Sequence, residues 1–188
     1  MEKKTKMEKM EIKKNKIFLE DLSYIYKNIN QKYFFKKKIL IVGSEGFLGF
    51  YFKHFFIKYF QNLGIKKLYF ADNSLRKKKI KKNIQELPFD IVKNKIEKID
   101  KNLDIIIHAA SIASPIFYRK FPLKTTDSNV VGLRKILDYS KTKKSKVKIL
   151  YFSTSEIYGD PSVKNIPTSE DYRGNVSCTG PRACYDES

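Results

Sequence analysis

The sequence has little cysteine, little arginine and no long apolar run. Its two cysteines are too few to build a disulfide scaffold in a chain of 188 residues. The most apolar stretch, residues 47–60, is interrupted by two lysines and a histidine and is too short to span a bilayer. The N-terminus alternates lysine and glutamate without an apolar segment, so no secretory signal is visible. We therefore expect a cytoplasmic protein with no membrane partner.

The positive charge of the chain is almost entirely lysine. The formal net charge is +19, and it comes from 34 lysines and only five arginines set against 20 acidic residues. Arginine is the residue favoured for bidentate contacts to phosphate and to base edges, whereas lysine decorates any surface. The charge therefore predicts a lysine-rich surface and no specific nucleic-acid partner.

The length of the chain accommodates one well-buried domain but not two. Residues 1–37 are interpreted as a lysine-rich extension with a short helix between Ile17 and Ile29, and residues 38–188 as a single domain. The extension is expected to be solvated, with a partner-binding arm as the alternative. Within the predicted helix, the apolar residues that recur at helical spacing are Ile17, Leu19, Leu22, Ile25, Tyr26 and Ile29.

Short apolar runs alternate with helix-compatible segments after Lys38. The runs are continuous, as expected for strands that are covered on both faces, and strands separated by helices imply parallel pairing through right-handed crossovers. The predicted strands are Ile39–Val42, Lys67–Ala71, Leu87–Val92, Leu103–Ala109 and Val147–Phe152. The sequence therefore predicts an α/β fold with a doubly wound parallel sheet.

Three glycines follow the first predicted strand and open a helix. Gly43, Gly46 and Gly49 have the spacing that lets the chain turn sharply, approach a pyrophosphate and pack the helix on the strand. Asp72 ends the next strand, 23 residues after the last glycine, where an acid can bind a ribose hydroxyl. Its carboxylate disfavours a 2′-phosphate, so NAD is predicted rather than NADP. The charged Glu45 within this turn is expected to point to solvent.

The sequence resembles the extended short-chain dehydrogenase/reductases that act on nucleotide sugars, most closely the UDP-glucuronate decarboxylases. The resemblance covers about residues 38–188. Its motifs are GxxGFLG at 43–49, Asp72-Asn73, Asp90-Ile91, the HAAS segment at 108–111, Ser114-Pro115, STSEIYGDP at 153–161 and GPRACYDE at 180–187.

This resemblance implies a set of residues that hold NAD. The glycine turn, with Gly43, Gly46, Phe47, Leu48 and Gly49, would surround the pyrophosphate. The remaining implied contacts are Asp72 and Asn73 to the adenosine ribose, Asp90 and Ile91 to the adenine, and Ala109, Ser111 and Ser128 to the rest of the dinucleotide.

The resemblance also implies the catalytic residues. Tyr185 would act as the general base on the C4 hydroxyl of the sugar, and Thr154 would bond O4. Because an unperturbed tyrosine is a poor base near neutrality, the family supplies a lysine four residues after it. Related 4,6-dehydratases carry Asp-Glu after the threonine, whereas this chain carries Ser155 and Glu156, as the decarboxylases do. The resemblance therefore implies UDP-glucuronate as the substrate and UDP-xylose as the product. No metal ligand spacing is visible.

Some positions leave other interpretations open. Decarboxylases usually carry Lys-Thr-Asn where this chain has Asp127, Ser128 and Asn129, so another nucleotide-sugar 4-epimerase or a 4,6-dehydratase is an alternative. His108 is interpreted as a packing residue, and for Arg182 positioning of its loop and contact with substrate are both open.

The lysine that the family places four residues after the tyrosine would follow directly on Ser188. We therefore expect this chain to be the N-terminal part of a longer enzyme that lacks the substrate-binding half, and to turn over little or nothing by itself. The full-length enzyme is expected to be a homodimer. A non-catalytic nucleotide-binding or interaction module is the alternative of a different class, with its lysine-rich arm on an anionic partner.

Overall fold

The computed structural model describes residues 15–76, 78–143 and 146–188. The lysine-rich start of the predicted extension, before Asn15, lies outside the described residues. The strands are β1 (Lys38–Val42), β2 (Lys67–Asp72), β3 (Lys78–Lys81), β4 (Ile84–Pro88), β5 (Ile105–His108) and β6 (Lys148–Tyr151). The α-helices are α1 (Lys16–Asn28), α2 (Phe47–Tyr59), α3 (Pro115–Lys120), α4 (Pro122–Thr126), α5 (Gly132–Lys141) and α6 (Ala183–Asp186). A π-helical turn (Asp127–Val131) joins α4 to α5, and 3₁₀ turns occupy Gln31–Phe34, Ile96–Lys98, Ser155–Tyr158 and Val163–Asn165.

The strands form one sheet in the order β3-β4-β2-β1-β5-β6. All neighbouring pairs are parallel except β3 with β4. The chain moves outward from β1 through β2 to β4 and then crosses back to β5 on the other side of β1. The ends of the parallel strands align, since Val42 pairs with Ala71 and His108, and His108 with Tyr151. A crevice therefore opens at this edge, next to the point where the strand order reverses.

Both faces of the sheet are covered, as the continuous apolar runs predicted. Residues that alternate along β1 belong to different cores: Ile39 and Ile41 lie in the core beneath α1 and α2, and Leu40 and Val42 in the core beneath α5. All four side chains are buried. The prediction of a doubly wound α/β sheet is confirmed.

Two strands differ from their predictions. The described residues between β2 and β4 form no helix; they form the antiparallel strand β3, which was not predicted and whose register with β4 shifts between Lys79 and Lys81. The predicted strand Leu87–Val92 instead starts at Ile84 and ends at Pro88, whose ring supplies no N–H for a further ladder bond. The outer strand β6 is only partly covered, and Leu150 is exposed.

The predicted N-terminal helix is present as α1, and three residues of its predicted apolar face, Leu22, Tyr26 and Ile29, pack in the core together with Phe18, which was not predicted. Asn15 caps it by accepting hydrogen bonds from the N–H groups of Ile17 and Phe18 at 2.9 and 3.4 Å. Phe18 and Leu22 are buried, whereas Ile17 is 67% exposed. The face turns toward α2 because the Phe18 ring packs edge-on against Tyr51, with centroids 5.0 Å apart. Among the described residues, no helix is long and apolar enough to cross a membrane.

Candidate active site

A cleft of about 360 Å³ lies at the carboxyl edge of the sheet, where β1, β2, β4 and β5 end. The loops after these strands form its walls, and the π-helical turn closes one side. The predicted cofactor residues that line it are Gly43, Gly46, Asp72, Asn73, Asp90, Ile91, Ala109, Ser111 and Ser128. The fold therefore brings into one cavity nine residues that lie far apart in the sequence.

The three glycines of the turn have three different surroundings. Gly43 has a φ of +84°, and a Cβ on it would lie 2.6 Å from the backbone of Ala109 and Ala110. Gly46 lines the cleft, and a Cβ there would meet only the Gly43 carbonyl oxygen at 3.4 Å. Gly49 is buried against the turn, outside the lining of the cleft. The turn thus has an open place at Gly46 for a ligand that approaches the backbone.

Phe47 and Leu48 form the first turn of α2 but do not line the cleft. Their side chains are exposed, Phe47 by 81%. Backbone N–H groups in the first turn of a helix have no acceptor within the helix, and they bind anions well. Any contact of these residues with a pyrophosphate would therefore come from the backbone.

Asp72 is oriented for a further hydrogen bond. Its Oδ2 accepts the Glu45 N–H at 3.1 Å, and its Oδ1 accepts the N–H and the hydroxyl of Ser74 at 3.0 and 2.7 Å. A carboxylate offers about four acceptor positions, so one remains for a ribose hydroxyl. The residues of this cleft fit a dinucleotide, since they combine a glycine turn, a helix N-terminus and an acid that can accept from a ribose.

The loop after β4 builds the side of the cleft at which adenine binding is predicted. The Oδ1 of Asp90 accepts the N–H groups of Val92 and Lys93 at 2.9 and 3.2 Å, and the Asp90 N–H donates to Asn94 at 2.8 Å. Ile91 is buried and is part of the core beneath α5. Asp90 therefore orders its own loop, and Ile91 supplies an apolar wall.

Helix α4 and the π-helical turn add two charges that the list of predicted cofactor residues did not contain. Lys124 and Asp127 line the cleft beside Ser128, whose hydroxyl donates to the Thr125 carbonyl at 2.9 Å. Lys124 escaped the sequence analysis because a single lysine in a lysine-rich chain has no distinguishing context. Its position was set by the way α4 packs over the sheet edge.

The four predicted catalytic residues lie in the described part of the chain but outside the lining of this cleft. Thr154 and Ser155 begin the 3₁₀ turn after β6, where the Thr154 hydroxyl accepts the Glu156 N–H at 3.3 Å. Tyr185 lies in α6 with its ring stacked on Tyr118, at a centroid separation of 5.0 Å.

Arg182 connects the two segments that carry the predicted catalytic residues. Its guanidinium pairs with Glu156, and its Nε lies 3.4 Å from the Asp186 carboxylate. Burial raises the pKa of Tyr151 at the end of β6, and the neighbouring Tyr185 adds to this rise. The segments that follow β6 and that carry Tyr185 therefore adjoin each other. Of the two roles left open for Arg182, the structure shows the contact that positions its loop.

Comparison with known proteins identifies the family. The model of the NAD dependent epimerase/dehydratase family matches residues 39–188. The chain belongs to this family. The resemblance found in the sequence and the prediction of NAD as the family's cofactor are thereby confirmed, while the residues that would hold NAD and perform catalysis remain predictions.

Relatives of this epimerase/dehydratase chain include decarboxylases. It is 39% identical to UDP-glucuronic acid decarboxylase 6 of Arabidopsis thaliana over 162 residues, which are 84% of this chain and 45% of that protein. It is 35% identical to UDP-glucuronic acid decarboxylase 1 of Danio rerio over 153 residues, 81% of this chain and 35% of the relative. The chain thus spans less than half the length of these curated relatives.

Solved structures of similar fold include epimerases. The UDP-N-acetylglucosamine 4-epimerase from Methanobrevibacter ruminantium M1 aligns with a TM-score of 0.63 at 23% identity, over 81% of this chain and 48% of that one. The UDP-glucuronic acid 4-epimerase from Bacillus cereus, solved in complex with NAD, aligns with a TM-score of 0.59 at 21% identity, over 80% and 48% of the two chains. At these identities the likeness concerns the fold.

His108 is a packing residue in this epimerase/dehydratase fold, as expected from the sequence. It ends β5 and is 1% exposed. Neither ring nitrogen has a hydrogen-bond partner of normal geometry among the described residues. Burial lowers the pKa of His108 to about 4, and the backbone of Ser128 opposes only part of this shift. His108 is therefore neutral at pH 7.

We expect this buried imidazole to make the fold sensitive to mild acid. The unfolded chain binds a proton at His108 below about pH 6.5, whereas the folded chain binds it only near pH 4. The free energy of unfolding is therefore highest above pH 6.5. It falls by about 3 kcal/mol as the pH decreases from there to the folded-state pKa of His108. Urea unfolding of the wild type and of His108→Leu at pH 7 and 4.5 measures it. Parallel pH profiles of the two proteins would contradict the expectation.

Proposed function

We propose that this chain is the cofactor-binding part of an NAD-dependent nucleotide-sugar decarboxylase that converts UDP-glucuronate to UDP-xylose. The observation that carries the proposal is the gathering of nine predicted cofactor residues in one cleft at the carboxyl edge of the sheet. The decarboxylase relatives, which align with most of this chain, support the choice of reaction.

Each group in the cleft has a defined task under this proposal. Gly46 and the first turn of α2 hold the pyrophosphate, and Asp72 accepts a hydrogen bond from the adenosine ribose. When bound, NAD accepts the hydride from C4 of the sugar and later returns it. Buried Ile91 packs against the adenine and excludes water from that end of the cleft.

The catalytic segments act on the sugar. Tyr185 removes the proton of the C4 hydroxyl, while Thr154 donates a hydrogen bond to O4 and holds it in place. A ketone at C4 makes the carboxylate on C5 that of a β-keto acid, which loses CO₂ and leaves an enolate that takes up a proton at C5. Ser155 stands where the dehydratases have their acidic residue, so the elimination of water has no proton donor at this position. The Glu156 carboxylate is held by Arg182.

Asp127 favours a second candidate function, a 4-epimerase of a neutral nucleotide sugar. Its carboxylate lines the cleft in the position where decarboxylases usually carry a lysine. A negative charge there repels the carboxylate of glucuronate but is compatible with an uncharged hexose. Lys124 lies in the same lining and offsets part of this repulsion.

The test uses the 188 residues joined to the C-terminal half of the Arabidopsis thaliana decarboxylase, alongside the isolated chain. With NAD and UDP-glucuronate, the joined protein is expected to release CO₂ and form UDP-xylose, and the isolated chain is expected to bind NAD with little turnover. Interconversion of UDP-glucose and UDP-galactose without CO₂ release supports the epimerase instead. NAD binding without turnover of any sugar by the joined protein supports the non-catalytic module.

A further inference from the structure

The glycine turn contains an acidic residue whose side chain leaves the cleft. Glu45 lies between Gly43 and Gly46, which both line the cavity, yet Glu45 itself is absent from that lining. Its carboxylate accepts a hydrogen bond from the ammonium of Lys53 at 2.5 Å. The expectation that Glu45 points to solvent is therefore wrong, because a cation on α2 binds it.

Lys53 is a mostly buried cation that two carboxylates share. Its side chain is only 12% exposed, and it also pairs with Glu86 on β4, which is similarly covered. The ammonium lies 5.7 Å from the centre of the Phe70 ring on β2. Burial by itself lowers the pKa of Lys53, but the hydrogen bonds and charges of Glu45 and Glu86 outweigh burial and raise it. Lys53 is therefore charged at neutral pH.

The backbone of Glu45 extends this network to the cleft. Its N–H donates to Oδ2 of Asp72 at 3.1 Å, and Asp72 lines the cavity at the end of β2. A single residue thus connects the buried ammonium of Lys53 to the carboxylate that would hold the ribose. The Lys53–Glu45 pair and the Glu45–Asp72 hydrogen bond therefore involve one residue at the rim of the cleft.

We propose that Lys53 is a positioning residue for the dinucleotide. It holds the Glu45 carboxylate outside the cleft, so that this charge does not oppose the pyrophosphate, and it keeps the Glu45 N–H against Asp72. Without the ammonium, the covered carboxylates of Glu45 and Glu86 would lose the cation that they share, and their repulsion would favour a position of the Glu45 side chain nearer the cleft. The proposal rests on the proposed binding of NAD in this cleft.

The closing experiment compares NAD with adenosine, which lacks the pyrophosphate. Calorimetry and ligand-observed NMR give both dissociation constants for the wild type, Lys53→Met and Lys53→Arg. Lys53→Met is expected to weaken NAD binding by about tenfold more than adenosine binding, because the Glu45 carboxylate loses the Lys53 cation and then opposes the phosphates. Lys53→Arg, which retains the charge, is expected to restore the wild-type ratio of the two constants.

Two further variants separate positioning from stability. Lys53→Met combined with Glu45→Gln removes the repelling charge, so NAD affinity is expected to recover. Glu86→Gln removes the second carboxylate that binds Lys53 and leaves the Glu45–Lys53 pair in place. It is therefore expected to leave the ratio of the NAD and adenosine dissociation constants unchanged, even where it lowers the melting temperature. If Lys53→Met does not fold, Lys53→Gln, an uncharged hydrogen-bond donor, serves for the same comparison.

Hydrogen exchange of the unliganded chain provides a readout without cofactor. The Glu45 amide is expected to exchange about tenfold faster in Lys53→Met, while amides of β1 and β5 stay protected. Equal weakening of NAD and adenosine, or unchanged exchange at Glu45, would overturn the role of Lys53 and leave the proposed function intact. Failure of the wild-type chain to bind NAD would overturn the proposed cofactor site, and the dinucleotide role of Lys53 with it.

Discussion

Gly49→Ala is expected to destabilise the chain by about 3 kcal/mol and to abolish measurable NAD binding. A Cβ at this position would lie 2.0 Å from the carbonyl oxygen of Gly43 and 2.7 Å from the Cα of Ser44. Both contacts are backbone atoms, which cannot rotate away as a side chain does. Alanine ordinarily stabilises a helix by about 1 kcal/mol relative to glycine. A loss of stability in Gly49→Ala would therefore run against helix propensity and would report the clash with the backbone of Gly43 and Ser44.

Gly46→Ala is the matched control for this prediction. Its Cβ would meet only one atom, at 3.4 Å, so the fold is expected to keep its stability in urea. Because Gly46 lines the cleft, the added methyl group is nevertheless expected to weaken NAD binding measured by calorimetry. A Gly49→Ala protein with wild-type stability, or a Gly46→Ala protein as unstable as Gly49→Ala, would contradict the separate roles of the two glycines.

The parts of the fold that could be predicted are those in which local pattern and burial agree. The run Ile39–Val42 is apolar at every position, which indicates a strand covered on both faces, and the structure covers both. The position of the turn was predicted correctly from the glycine spacing, because Gly43 has a positive φ, which residues other than glycine rarely adopt. Nine of the predicted cofactor residues share one cleft because the ends of parallel strands meet at one edge.

The features that escaped prediction depend on contacts between distant residues. Helix α1 buries Phe18 instead of Ile17 because the partner rings on α2 decide which face docks. The hairpin of β3 and β4 lies where a helical crossover usually connects two parallel strands, and it depends on the antiparallel pairing of two segments that no local pattern indicated. Lys53 gave no signal among 34 lysines, since only the sheet order brings Glu86 beside it.

Tyr185→Phe is expected to lower the turnover of UDP-glucuronate by about 10³-fold in the joined protein, because the proposed general base loses its hydroxyl. Its ring is stacked on Tyr118 with an interplanar angle of 8°, and phenylalanine preserves this contact. Folding and NAD affinity are therefore expected to remain those of the wild type. Steady-state kinetics and calorimetry on the same preparation measure both quantities.

Tyr118→Phe provides the control for a loss of hydroxyl without a loss of ring. Tyr118 is buried on α3, and its substitution is expected to leave turnover within about threefold of the wild type, since the proposed proton transfer does not involve it. Comparable turnover of Tyr185→Phe and the wild type would remove Tyr185 from the proposed chemistry. Similar losses in both variants would contradict a specific role of the Tyr185 hydroxyl, because the ring contact between α3 and α6 is retained in each of them.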